Sequence, residues 1–75
     1  MIDDYTMRDY RHEVGKHLRY LREYHGWSVD QVATMAGVKP KTIEKIEEGA
    51  FNVSLDILAK VSDVLDADVT IKSRQ

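Results

Sequence analysis

The 75-residue sequence has no cysteine, one proline, one phenylalanine, one tryptophan and four glycines. Without cysteine there is no disulfide framework and no thiolate ligand or nucleophile, which fits a cytoplasmic protein. His12, His17 and His25 stand five and eight residues apart, and no carboxylate cluster completes a metal site around them. There is no glycine-rich phosphate loop, and the serines are accounted for as helix caps or terminal residues, so neither an enzyme nor a cofactor is expected. No apolar run approaches the ~20 residues that a membrane span needs. The opening MIDDYTM is acidic and lacks a hydrophobic stretch, so no signal peptide is expected. Repeats, linkers and low-complexity segments are also missing, which predicts a single domain over 1–75. A chain this short is near the lower limit for a self-sufficient core. Its stability must come from helix packing, helped by oligomerisation.

What is present is organised around Ser28–Gly49. Ser28 with Gln31 three residues on is a capping-box start. Val32, Ala33 and Ala36 follow as a narrow apolar stripe. Gly37 suits the left-handed residue that ends a helix, with Val38 as the apolar contact of that cap. Pro40 is placed for the first turn of the next helix, where its missing N–H costs nothing. Ile43 and Ile46 share a face, and Gly49 closes the element. Helix, glycine-containing turn, helix is the helix-turn-helix unit.

From Val14 to Leu65 the chain resembles the Cro and phage-repressor type (Xre-like) helix-turn-helix transcription regulators. The resemblance rests on Gly15, Leu18, Leu21, Arg22 and Gly26, then on Val32, Ala33, Ala36, Gly37, Val38, Thr42, Ile43, Ile46, Glu47 and Gly49, and last on Ser54, Leu55 and Leu58. It implies a mainly α, lambda-repressor-like compact bundle of four helices, at about 7–25, 28–36, 40–48 and 55–66. It further implies DNA contacts from Ser28, from Lys39, Pro40, Lys41, Thr42, Glu44 and Lys45 on the third helix, and from Asn52 in the following loop. Arg22 and Glu47 match family positions that form a partly buried ion pair. The residues support this separately, because Glu47 lies on the apolar side of its helix and needs a partner there. Three departures stand out. Val29 replaces a common glutamine that meets phosphate, Trp27 replaces a leucine-like residue, and Glu48 stands where many relatives are polar or basic.

The net charge of −2 is unevenly placed. Residues 8–45 hold eight Lys or Arg against five Asp or Glu, whereas 46–71 hold one Lys against six acids. The basic end therefore carries the helix-turn-helix, which permits DNA binding. Lys39 and Lys41 sit at the positive end of a helix macrodipole, a locally poor choice. It makes sense where that end faces phosphates or guanine edges. Glu44 and Glu48 oppose generic affinity, although Glu44 can accept from cytosine N4.

Residues 1–6 are expected as an N-terminal arm, with the first helix starting at Thr6. Tyr10, Val14, Leu18 and Leu21 recur on it at helical spacing. Phe51 is expected to fold back onto the core. Ser54 caps the fourth helix, whose apolar arc is unusually wide. Leu55, Leu58, Ala59 and Leu65 form one sector, and Ile57, Val61 and Val64 a neighbouring, spare one. Within the 67–75 tail, residues 68–72 alternate with period 2 and read as a strand that must pair with something. These features predict a homodimer through Ile57, Val61, Val64, Val69 and Ile71, the rival being a monomer in which 68–72 pairs with the arm around Ile2–Thr6. The function expected is sequence-specific binding of a pseudo-palindromic duplex operator by a repressor or antitoxin-like autoregulator, with a toxin or other protein as a possible partner. The competing reading is a protein-interaction module that keeps the fold but has lost most DNA affinity.

Overall fold

The computed structural model describes residues 4–50 and 52–68, with side chains from Tyr10 onward. Four helices follow one another: α1 (Asp4–Tyr24), α2 (Val29–Ala36), α3 (Pro40–Glu47) and α4 (Leu55–Val64). All four end in the same way. The N–H groups of Trp27, Val38, Ala50 and Ala67 return to the carbonyls of Arg22, Ala33, Lys45 and Ser62, at 3.1, 3.0, 3.0 and 2.8 Å. Each such bond needs a left-handed residue just before the donor. Gly26, Gly37 and Gly49 supply it, and at the end of α4 Asp66 does so with φ 59°. The starts of α2 and α4 are capped by Ser28 and Ser54, and Pro40 opens α3.

The arm expected at 1–6 is corrected in part, since α1 already includes 4–6. No glycine or proline precedes Gly15 to stop the helix, and extending a nucleated helix costs little. The strand expected at 68–72 lies outside the described residues from Val69 on, as does Phe51. Asp68, its first residue, is exposed and in no strand.

The core joins Leu18 of α1, Val32, Ala33 and Ala36 of α2, Ile43 and Ile46 of α3, and Val61 and Leu65 at α4. Helix α3 packs on α1 and α2, and α4 packs on α2. The small Ala33 and Ala36 let the α2 backbone approach closely. At Gly15 the approach of α1 to α3 is closer still. A Cβ there would collide with the carbonyl oxygen of Ile46 and lie 2.9 Å from that of Glu47.

Helix α4 is turned differently from the expectation. Val61, expected on a spare sector, is 1% exposed and belongs to the core, whereas Leu55 is 67% exposed. The inward arc takes Leu58, Val61, Ser62 and Leu65, which lie within about 100° on a wheel of 3.6 residues per turn. The remaining apolar residues split into two flanks, Leu55 with Ala59 on one side and Ile57 with Val64 on the other. A composition this apolar fits several rotations; contact with α2 selects one.

Gly15→Ala should destabilise the protein by about 1–3 kcal/mol through overpacking, although alanine is the better helix former by ~1 kcal/mol. Asp66→Gly should stabilise it by about 1 kcal/mol, by relieving a side chain in the left-handed region. Urea unfolding of each variant checks both signs.

Candidate nucleic-acid interface

The outward face of the helix-turn-helix is set by what its inward face must bury. Ile43 and Ile46 turn into the core, and the Glu47 side chain is mostly buried beside them. On a helix this sends Lys41, Glu44, Lys45 and Glu48 to the opposite side, and all four are exposed. Lys39 and Pro40 are exposed at the start of α3, and Thr42 is half-exposed. Lys39 takes the N-cap position with φ −78° and ψ 146° and makes no side-chain cap bond. Among the described residues Lys39, Lys41 and Lys45 make no ion pair, and neither Glu44 nor Glu48 answers them. Three cations thus stand free on one surface.

At the start of α2 the capping box is complete. The Gln31 N–H donates to Ser28 Oγ at 3.1 Å, and the Ser28 N–H donates to Gln31 Oε1 at 2.7 Å. The Ser28 hydroxyl accepts here and keeps its own proton to donate outward. Val29 packs against the core, so no side-chain amide is presented at that position. Asn52 is exposed in the loop between α3 and α4.

The position of α3 is held by Arg22. Its Nε donates to one Glu47 carboxylate oxygen at 2.6 Å and its second terminal nitrogen to the other at 3.0 Å. The remaining terminal nitrogen donates to the Trp27 carbonyl at 2.9 Å. The two side chains are only 13% and 11% exposed. The hydrogen bond to Glu47 and its charge hold the guanidinium above its ordinary pKa, against the opposing effect of burial. Arg22 therefore stays charged throughout the neutral range. The stability that comes from its raised pKa is present below the ordinary arginine value and is lost as pH rises through the raised one. The bond to Trp27 was not legible from spacing alone. A C-terminal arginine with a free carbonyl one turn beyond was its available signal. Val53, which packs against the core just before α4, carried no periodic signal either.

The three histidines are exposed, and among the described residues no cluster of His, Asp and Glu is placed to hold a metal. No helix of the described residues is long and apolar enough to cross a membrane.

A family model described as Helix-turn-helix matches residues 18–71. The chain is 36% identical over 52 residues to a protein of Pyrococcus horikoshii named as an HTH-type transcriptional regulatory protein. It is 42% identical over 52 residues to one of the same description from Methanocaldococcus jannaschii. Each match covers 69% of this chain but 16% of the relative, so the chain spans about one sixth of these archaeal proteins. The HTH-type transcriptional regulator SlrR of Bacillus subtilis is 36% identical over 58 residues, 76% of this chain and 38% of SlrR.

Because the Arg22–Glu47 bridge is shielded from water, removing one partner leaves a charge without compensation. Glu47→Leu should cost about 3–5 kcal/mol in urea unfolding, and Arg22→Met combined with it should recover much of that loss. Strictly additive losses would show that the two side chains do not act as a pair.

Proposed function

The chain belongs to the Cro and phage-repressor type helix-turn-helix family, and on that premise we propose that it binds duplex DNA sequence-specifically as a small transcriptional regulator in the cytoplasm. The supporting observation is the face of α3, where Lys39, Lys41 and Lys45 are exposed and free of ion pairs. Placed in the major groove, the start of α3 brings Lys39 and Lys41 to phosphate or guanine, and Thr42, Glu44 and Lys45 follow along it. Pro40 sets the first turn without needing a hydrogen bond. Ser28 and Asn52 donate to phosphates on either side, which fixes register rather than sequence. Glu44 selects for cytosine by accepting from its exocyclic amine and repels a misplaced phosphate. Glu48 keeps affinity modest. The regulatory role in this reading is repression or antitoxin-like autoregulation.

A dimer is part of this reading. Leu55 and Ala59 on one flank of α4, or Ile57 and Val64 on the other, give each copy an apolar edge for a two-fold contact. Val61 takes no part, being enclosed in the core. Val69 and Ile71 extend the contact if the segment after Asp68 pairs between copies. Two recognition helices would then lie ~34–36 Å apart, suiting a pseudo-palindromic operator. A toxin or other protein partner is compatible with the exposed edge of Leu55 and Ala59 on α4.

Lys45→Ala should weaken a selected operator by about 1–3 kcal/mol when it reads a base. When it contacts only phosphate, the loss is equal on all duplexes and the salt dependence becomes shallower. Fluorescence anisotropy with selected and random duplexes at several salt concentrations separates the two. No effect of Lys41→Ala or Lys45→Ala on any duplex would favour the interaction module instead.

A further inference from the structure

Among the described residues, the surface richest in aromatic rings lies off the outward face of α3. At the end of α1 four rings form a continuous chain across the turn into α2. Tyr20 and Tyr24 stack with centroids 6.4 Å apart, Tyr24 meets His25 edge-on at 5.6 Å, and His25 stacks on Trp27 at 4.4 Å. Tyr24 is 75% exposed, and Met35 on α2 is 47% exposed. Between Trp27 and Met35 lies an open cleft of about 360 Å³, edged by Asp30, Gln31 and Thr34. The strip is anchored at the turn, where Arg22 donates to the Trp27 carbonyl and the N–H groups of His25, Gly26 and Trp27 bond back to α1 carbonyls.

We propose that this strip is a docking surface for a cationic, partly apolar segment of a partner protein. Tyr, Trp and Met are the residues enriched where protein interfaces concentrate their energy. Charge selects the partner. The cations on this side are already matched, Arg19 to Glu23 at 3.4 Å and Arg22 to Glu47. Asp30 lies in the first turn of α2, where the helix dipole favours a carboxylate, and it has no side-chain counterion among the described residues, so the charge open to a partner at the cleft is negative. The faces of the exposed tyrosines also attract ammonium and guanidinium groups. A lysine- or arginine-bearing segment with an apolar residue for the cleft satisfies all of these features. A nucleic acid strand does not, since it needs free cations that this surface lacks. The strip shares no residue with the outward face of α3, so this docking does not rest on the DNA reading, but it adjoins Ser28, where a bound segment would compete with the phosphate contact proposed there.

Trp27 is the only tryptophan and reports on the strip directly. A synthetic amphipathic peptide of leucine and lysine should shift its emission saturably, whereas a leucine–glutamate peptide of the same pattern and a thymidine oligonucleotide should not. Asp30→Lys and Tyr24→Ala should each weaken lysine-peptide binding about tenfold. Asp63→Lys, which reverses a charge on α4, should leave it unchanged, with circular dichroism confirming that each variant is folded. Unaltered binding to Asp30→Lys, or binding lost with Asp63→Lys, would overturn the proposal. So would an emission response to the oligonucleotide without one to the lysine peptide. Sedimentation in which Tyr24→Ala dissociates an oligomer would assign the strip to a second copy of the chain and equally overturn it.

Discussion

The Arg22 guanidinium ties three parts of the chain together: α1 that carries it, the turn at Trp27, and α3 through Glu47. A planar fork can satisfy a carboxylate with two parallel bonds and still donate elsewhere, which an ammonium on a flexible stem does not match. The pair is shielded but not sealed, so its worth is less in net stability than in fixing one arrangement. Without it, Ile43 and Ile46 could still be buried with α3 rotated or shifted along α1. With it, the outward residues of α3 have one orientation.

Close packing enforces the same choice. Gly15 brings α1 onto the last carbonyls of α3, and Gly49 brings the chain past the backbone of His12, where a Cβ would lie 2.9 Å from the His12 Cα. These two contacts and the ion pair act on one interface. The helix-turn-helix is thus clamped from α1, whereas α4 braces it through α2. The free lysines, the open aromatic strip and the apolar flanks of α4 are what this arrangement leaves on the surface.

Much of this was legible from local chemistry. The capping box at Ser28, the proline opening α3 and the glycines that close three helices are short-range features, complete within a few residues, and the helices fall within a few residues of their signals. The partition of α3 into Ile43, Ile46 and Glu47 inside and Lys41, Glu44, Lys45 and Glu48 outside follows from one strong periodicity. Helix α4 was not legible in this way. Apolar residues occupy most of its circumference, so period alone could not distinguish Val61 in the core from Leu55 in water. The start of α1 was missed for a related reason: nothing there forbids a helix, and absence of a cap is a weak stop signal.

The sequence by itself determined the helices, their ends, the polar face of α3 and the need of Glu47 for a cationic partner, because each depends on groups within about two helical turns. Only the tertiary structure decided the rotation of α4 and the placing of Met35 across a cleft from Trp27. Those depend on how α2 lies against its neighbours. Burial on one face of a helix is a shared property of two elements, and no periodicity in either one alone specifies where they touch.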